Sequence, residues 1–368
     1  MKSKTSQIHL ASRIAALAAF IVTASGSTSS HAGLAQPAAI AQFTLADKAT
    51  EIFGMPFVRP VVTKGKITAA QVAANSLSTT FTVALEGGEP NIPALNSTSD
   101  SVDEYYILEI TDGPGLGFIL ACTGNNGNTS VTVQGTTGTT SIPENTSFVI
   151  RKDNTVSSVF GAPSANHPFG AGSSSSAAKV WVQVYNSGSA TLTSYYVYQS
   201  GTTLQWRNTS GPTPRTFARL AVGKAVILAS RDKGAVTFAL SGDYRTSRTR
   251  LWVQKGKITF LANPAPVDSS FDEANIPETT PTRNVGTANQ KNVGNSGNSD
   301  EWKIWESATR TFSNYYIGTD ASNFPAVVRP AALSNQNPTI KAFSGVGVKP
   351  IDIANDAGYT IVTISPKL

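Results

Sequence analysis

The sequence predicts an all-β fold, and three observations predict it. Short runs rich in Val, Ile, Thr, Tyr and Phe are separated throughout by clusters of Gly, Asn, Ser and Pro, which is how a chain of many short strands is punctuated. Apolar residues at helical spacing are scarce. Among 368 residues, 40% are hydrophobic and only 14% are charged, with 30 Gly and 20 Pro, whereas a soluble domain is usually about 25% charged. The chain therefore has the apolar material for real cores and a weakly charged surface. The architecture expected is a set of tandem β-sandwich-like modules with hairpins, after a cleaved N-terminal signal helix.

The first element is that signal. Lys2, Lys4 and Arg13 precede an apolar stretch from Ile14 to Ala24, too short to span a bilayer comfortably and suited to the apolar region of a secretory signal. Ser30, His31 and Ala32 follow, with small side chains where a signal peptidase needs them, so residues 1–32 read as a signal cleaved after Ala32. Removing them takes away three positive and no negative charges, and the net charge falls from +6 to +3. With no dense Lys/Arg block, a nucleic-acid partner is not expected. Nor does the mature chain hold a second apolar run long enough for a transmembrane helix.

The strands expected in the mature chain are Phe81 to Leu85, Tyr105 to Thr111, Gly117 to Cys122, Ser130 to Gln134, Ser147 to Lys152, Val180 to Tyr185, Ser194 to Gln199, Lys224 to Ser230, Ala235 to Ser241, Thr249 to Gln254, Lys257 to Ala262, Trp302 to Trp305 and Tyr359 to Ile364. Lys255 and Gly256, and Asp232 to Gly234, read as hairpin turns. Ala69 to Asn75 reads as locally helical. From Asn263 to Ser299 four prolines and many Asn, Gly, Thr and Ser replace any apolar alternation, which predicts an exposed linker. The organisation expected is a signal at 1–32, a β-rich main region at 33–262 that forms one body or two packed modules, a linker at 263–299 and a smaller β-rich module at 300–368.

An internal echo supports modularity. Val182, Gln183, Val184 and Tyr185, followed by Tyr195 and Tyr196, recur with identical spacing as Trp302, Lys303, Ile304 and Trp305, followed by Tyr315 and Tyr316. Val222 to Val226 has a looser echo in Ser344 to Val348, and Tyr105 with Tyr106 starts a third comparable strand. The pentapeptide KGKIT, at Lys64 to Thr68 and Lys255 to Thr259, reads as one hairpin solution used twice.

Five runs together resemble a family of uncharacterised secreted bacterial proteins that occurs as paralogous sets in Verrucomicrobia and related phyla. They are FGMPFVRP (Phe53 to Pro60), YYILEITDGPGLG (Tyr105 to Gly117), SFVIRKDNTVSSVFG (Ser147 to Gly161), the strand Val222 to Leu228 before Arg231, and NPAPVD (Asn263 to Asp268). The resemblance implies export and a β-rich modular body. The family has no assigned reaction, so no catalytic residue carries over.

Chemistry is sparse. Of three histidines only His167 remains after the signal, which excludes a His-rich metal site, and no G-x-S-x-G elbow accompanies it. The single Cys122 cannot form an intramolecular disulfide and sits in an apolar run as a packing residue. No phosphate-binding loop appears, so no cofactor is expected, and no metal site is assigned; Asp100 and Asp103 lack the spacing of a calcium loop. Asp103, Glu104, Glu109 and Asp112 form the densest acidic cluster and read as solvated acids at a strand start and turn, with a glycoside-cleaving pair as the sharper alternative.

Aromatics carry the best binding hypothesis, because sugar rings stack on exposed planar side chains. Trp181, Trp206 and Trp305 are the candidates for ligand contact; Trp305 and Trp302, three apart, face opposite sides of a strand. Core packing is the plainer role for all of them. The function expected is therefore an exported, non-enzymatic structural or adhesive protein of the cell surface or extracellular matrix, with surface polysaccharide or further copies of itself as partners and the periplasm as the alternative location. The competing expectation is a carbohydrate-binding or glycan-degrading accessory protein. A lipid-spanning β-barrel is disfavoured by strands that are short and irregular.

Overall fold

A computed structural model describes residues 38–55, 57–72, 78–95, 104–135, 142–216, 218–245, 247–263, 267–274, 300–319, 325–329, 334–335, 337–350 and 359–365. The segment read as a signal, most of the expected linker, and Asp100 and Asp103 lie outside them. The fold is all-β, with one short helix among the described residues. No helix among them is long and apolar enough to cross a membrane.

The described chain opens with β1 (Ala38–Leu45), β2 (Thr50–Gly54) and β3 (Phe57–Val58). Next come β4 (Val61–Val72), β5 (Ser78–Leu85), β6 (Tyr106–Ile110), β7 (Ile119–Asn126), β8 (Ser130–Gln134) and β9 (Thr146–Lys152), which close into a barrel in the order β4-β5-β8-β7-β6-β9. Helix α1 (Val156–Phe160) leads to β10 (Val180–Asn186), β11 (Thr191–Ser200), β12 (Thr203–Asn208), β13 (Ala225–Ser230) and β14 (Val236–Tyr244). The last part holds β15 (Thr249–Gln254), β16 (Thr259–Ala262), β17 (Ser269–Ser270), β18 (Asp300–Glu306), β19 (Thr311–Thr319), β20 (Pro325–Arg329), β21 (Ser334–Asn335), β22 (Thr339–Ile340), β23 (Gly345–Lys349) and β24 (Tyr359–Ile364).

Two sandwiches flank the barrel. In the first, the sheet β12-β11-β10-β13-β2 packs on β1-β14-β3. Strand β14 buries Val236, Phe238 and Leu240 at every second position, and these meet Phe53, Val182 and Leu228 of the facing sheet. In the second, the sheet β16-β23-β18-β19-β20-β21 packs on β15-β24, where Leu251, Val253, Val362 and Ile364 meet Trp302, Val346 and Val348. The barrel is filled by Ile67, Phe81, Leu108, Phe118, Val131, Val133, Phe148 and Ile150. It is a packed core with no lumen among these residues.

The tyrosine echo is structural. Val182 pairs with Tyr195 and Leu228, as Trp302 pairs with Tyr315 and Val348, and Ile227 pairs with Ile52 as Gly347 pairs with Phe260. The sandwiches also touch reciprocally. Phe53 bridges Ser344 while its counterpart Leu261 bridges Lys224, the counterpart of Ser344. Gly54 N–H donates to Phe343 O at 2.9 Å, and Ala262 N–H to Gly223 O at 2.9 Å. The two copies are thus related by an approximate twofold. The third tyrosine pair, Tyr105 and Tyr106, belongs instead to the barrel.

Several expectations need revision. Ala69 to Val72 continues strand β4 rather than forming a helix, because β5 offers its edge and takes the backbone hydrogen bonds. The turns at Lys255–Gly256 and Asp232–Gly234 reverse the chain, but they connect strands of different sheets rather than hairpin partners. KGKIT lies mid-strand in β4 and across a turn in its second copy, where Gly256 takes a positive φ of 69°. Strands β15 and β16 pair with β24 and β23, so boundaries at 262 and 300 run through the second sandwich. Within the stretch read as an exposed linker, Ser269, Phe271 and Ala274 are fully buried.

Candidate functional site

The three tryptophans singled out for ligand contact lie apart, each engaged by its own surroundings. Trp206 on β12 is fully buried and donates its indole N–H to Gly161 O at 3.0 Å. Trp181 on β10 is partly exposed, yet its N–H donates to Ser175 O at 3.0 Å and the Arg231 guanidinium covers the ring at 4.0 Å. Trp305 on β18 donates to Thr50 O at 2.7 Å and packs edge-on against Phe312, while Trp302 on the other face is fully buried. No shared platform is assembled from these rings.

The other sequence candidates are engaged too. His167 is buried beside Trp206; its Nδ1 accepts from Phe169 N–H at 3.2 Å, which leaves Nε2 carrying the proton that meets Phe160 O at 2.9 Å. Burial holds its pKa below the ordinary value. The Cys122 thiol is buried in the barrel and its pKa is pushed well above the usual thiol range by desolvation. Glu109 is buried between Arg151 and Arg245, each at 3.1 Å, and ties the barrel to the chain after β14. Glu104 pairs with Lys152 and accepts from Tyr106 Oη at 2.6 Å, and Asp112 accepts from Ser147 N–H at 2.7 Å. Among the described residues no group of three His, Cys, Asp or Glu could hold a metal ion.

A different place gathers chemistry. Where the barrel and both sandwiches meet, a cleft of about 230 Å³ opens. The barrel contributes Ile107, Ile119 and Gln134; the first sandwich Ser187, Arg219 and Lys224; the second Leu251, Trp252, Gln254 and Thr259. The fit at its rim is close: Gly135 has a positive φ of 97°, and a Cβ there would lie 2.7 Å from Trp252 Cε3, so only glycine lets the second sandwich seat against the barrel.

The cleft is cationic. Arg219 is paired with Asp153, which is fully buried and also accepts from Val222 N–H and Asn154 N–H, both at 2.9 Å. Asp153 is therefore saturated by its neighbours. The Lys224 ammonium has no hydrogen bond or ion pair among the described residues. Desolvation, helped by the Arg219 charge and opposed by Asp153, holds its pKa below the usual lysine value.

Sequence reasoning missed Arg219 and Lys224 because the cleft is built from three distant stretches. The looser echo gave no signal, because it aligns Lys224 with Val346, whereas the backbone contacts set Lys224 opposite Ser344. Compared with known proteins, the chain matches no family model and no curated sequence.

Proposed function

We propose that the protein is an exported, non-enzymatic structural or adhesive protein of the cell surface or extracellular matrix, working through surface polysaccharide or further copies of itself. The observation that carries this reading is the engagement of its aromatic and titratable side chains in packing. The planar groups that a lectin would leave open are capped at Trp181, bonded and packed at Trp305 and sealed at Trp206. The acids that a glycosidase would free for proton transfer are held at Glu109 and Asp153 by arginines. Residues 1–32 support export, as does the resemblance to a secreted bacterial family.

The test is fractionation of the producing cells with an antibody to the mature chain, combined with protease shaving of intact cells. Protein in an insoluble extracellular fraction and removable by protease is expected. Freely soluble periplasmic protein would sink the surface role.

A further inference from the structure

The geometry points to a binding site for a sugar-sized monocarboxylate, of the hexuronate type, in the cleft at the junction of the barrel and the two sandwiches. This goes beyond the structural reading and does not depend on where the protein resides.

Charge argues for one anionic group. Two cations line the cleft, but Arg219 is already neutralised by Asp153, whose oxygens are filled by Arg219 and two backbone N–H groups. Lys224, partly buried in the cleft, is left as a single cation without a counter-ion among the described residues, which suits one monoanionic group such as a carboxylate and not a dianion. The rest of the lining argues for a polyhydroxylated body. Gln134, Gln254, Ser187 and Thr259 supply neutral donors and acceptors for hydroxyls, while Ile107, Ile119 and Leu251 form an apolar floor for ring C–H groups. Size agrees, since about 230 Å³ falls below the range of about 300–1,000 Å³ usual for drug-sized ligands.

The internal repeat adds an argument that the fold alone does not require this lysine. Lys224 and Ser344 occupy equivalent positions and make equivalent backbone bridges, to Leu261 and Phe53. The tight turn before them is also the same: Gly223 has φ 82° and Phe343 φ 54°, and the N–H of Lys224 reaches Ala221 O at 3.0 Å as that of Ser344 reaches Lys341 O at 3.1 Å. Serine satisfies that backbone frame in one copy. The lysine in the other adds a charge that burial disfavours, at the one copy of this position that faces the barrel.

The experiment is calorimetric titration of the purified protein with galacturonate, galactose, acetate and sulfate, together with amine labelling of Lys224 read by mass spectrometry. Saturable binding of galacturonate is expected, at least tenfold tighter than galactose, acetate or sulfate. Lys224→Met should weaken it at least tenfold while unfolding stays cooperative and the midpoint does not fall. Galacturonate, and not galactose, should protect Lys224 from labelling, which keeps the test sound should the variant misfold. The proposal is overturned by absence of both binding and protection, by Lys224→Met binding as tightly as the parent, or by sulfate or acetate matching galacturonate.

Discussion

The two sandwiches are built on one plan and filled differently, and the difference separates what the backbone needs from what the side chains add. Each has an aspartate just before a capped turn. Asp153 accepts from Val222 N–H, and Asp268 accepts from Ala342 N–H at the matching place. Each turn closes with a reciprocal cap, Thr155 with Ser158 and Ser270 with Glu273. Each has a residue in the left-handed region at the same hairpin position, Ala190 at φ 54° and Arg310 at φ 55°. These shared features satisfy backbone groups. The first copy alone carries the barrel, inserted between β3 and α1, and its version of the aspartate is buried while the second copy's is half open to solvent.

That contrast sets the largest expected effect. Asp153 has an exposure of 0% and holds Arg219, whereas Asp268 is 49% exposed and holds Lys341 at 2.8 Å. Asp153→Ala removes one partner of a buried pair and leaves Arg219 and two N–H groups unanswered, so a loss of about 3–5 kcal/mol is expected in urea unfolding. Asp268→Ala should lose no more than about 1 kcal/mol. Equal losses would mean that the barrel does not change the worth of the motif.

The next effect tests the contact between the copies. A Cβ on Gly54 would lie 2.2 Å from the carbonyl oxygen of Ser344, so Gly54→Ala forces β2 away from the second sandwich. A loss of about 2–3 kcal/mol is expected. At the equivalent place the chain already carries Ala262, and Ala262→Gly should lose only about 1 kcal/mol. If both changes are mild, the reciprocal contacts are incidental.

Much of this plan was legible in the sequence where alternation is strong. Strand Thr249–Gln254 and strand Ser130–Gln134 match the expected limits, and the tyrosine echo survives as register because spacing across a hairpin fixes cross-strand partners. Local signals failed where tertiary partners decide. Helix α1 is five residues long, too short to show a period, and its capping residues Thr155 and Ser158 were its only mark. Phe271 is one aromatic in a polar, proline-rich stretch, yet it packs on Trp302 at 5.5 Å between ring centres. The cleft was illegible because Gln134, Lys224 and Gln254 are brought together only by the docking of three bodies.

A smaller effect asks whether the copies unfold together. Thr155→Ala and Ser270→Ala each delete one cap of the repeated pair, and each should lower stability by about 1 kcal/mol. Because the sandwiches hold each other through strand edges, both variants are expected to shift one common urea transition by similar amounts. A variant that splits the transition, with only one half moving, would show that each sandwich folds alone.

The smallest effect sits in the first sandwich alone. His167 belongs to the loop between α1 and β10, and burial lowers its pKa from the ordinary 6.5 because a charged ring would lose water and present a second proton to Phe169 N–H. The unfolded chain therefore takes up a proton near pH 6.5 that the folded chain resists, and stability falls as pH drops from 6.5 toward the folded pKa. One such group sets a slope of at most about 1.4 kcal/mol per pH unit. His167→Gln retains a donor for Phe160 O and cannot titrate. Urea midpoints at pH 7.5 and 5.5 should differ less for this variant than for the parent, and an unchanged difference would show that the acid sensitivity does not come from His167.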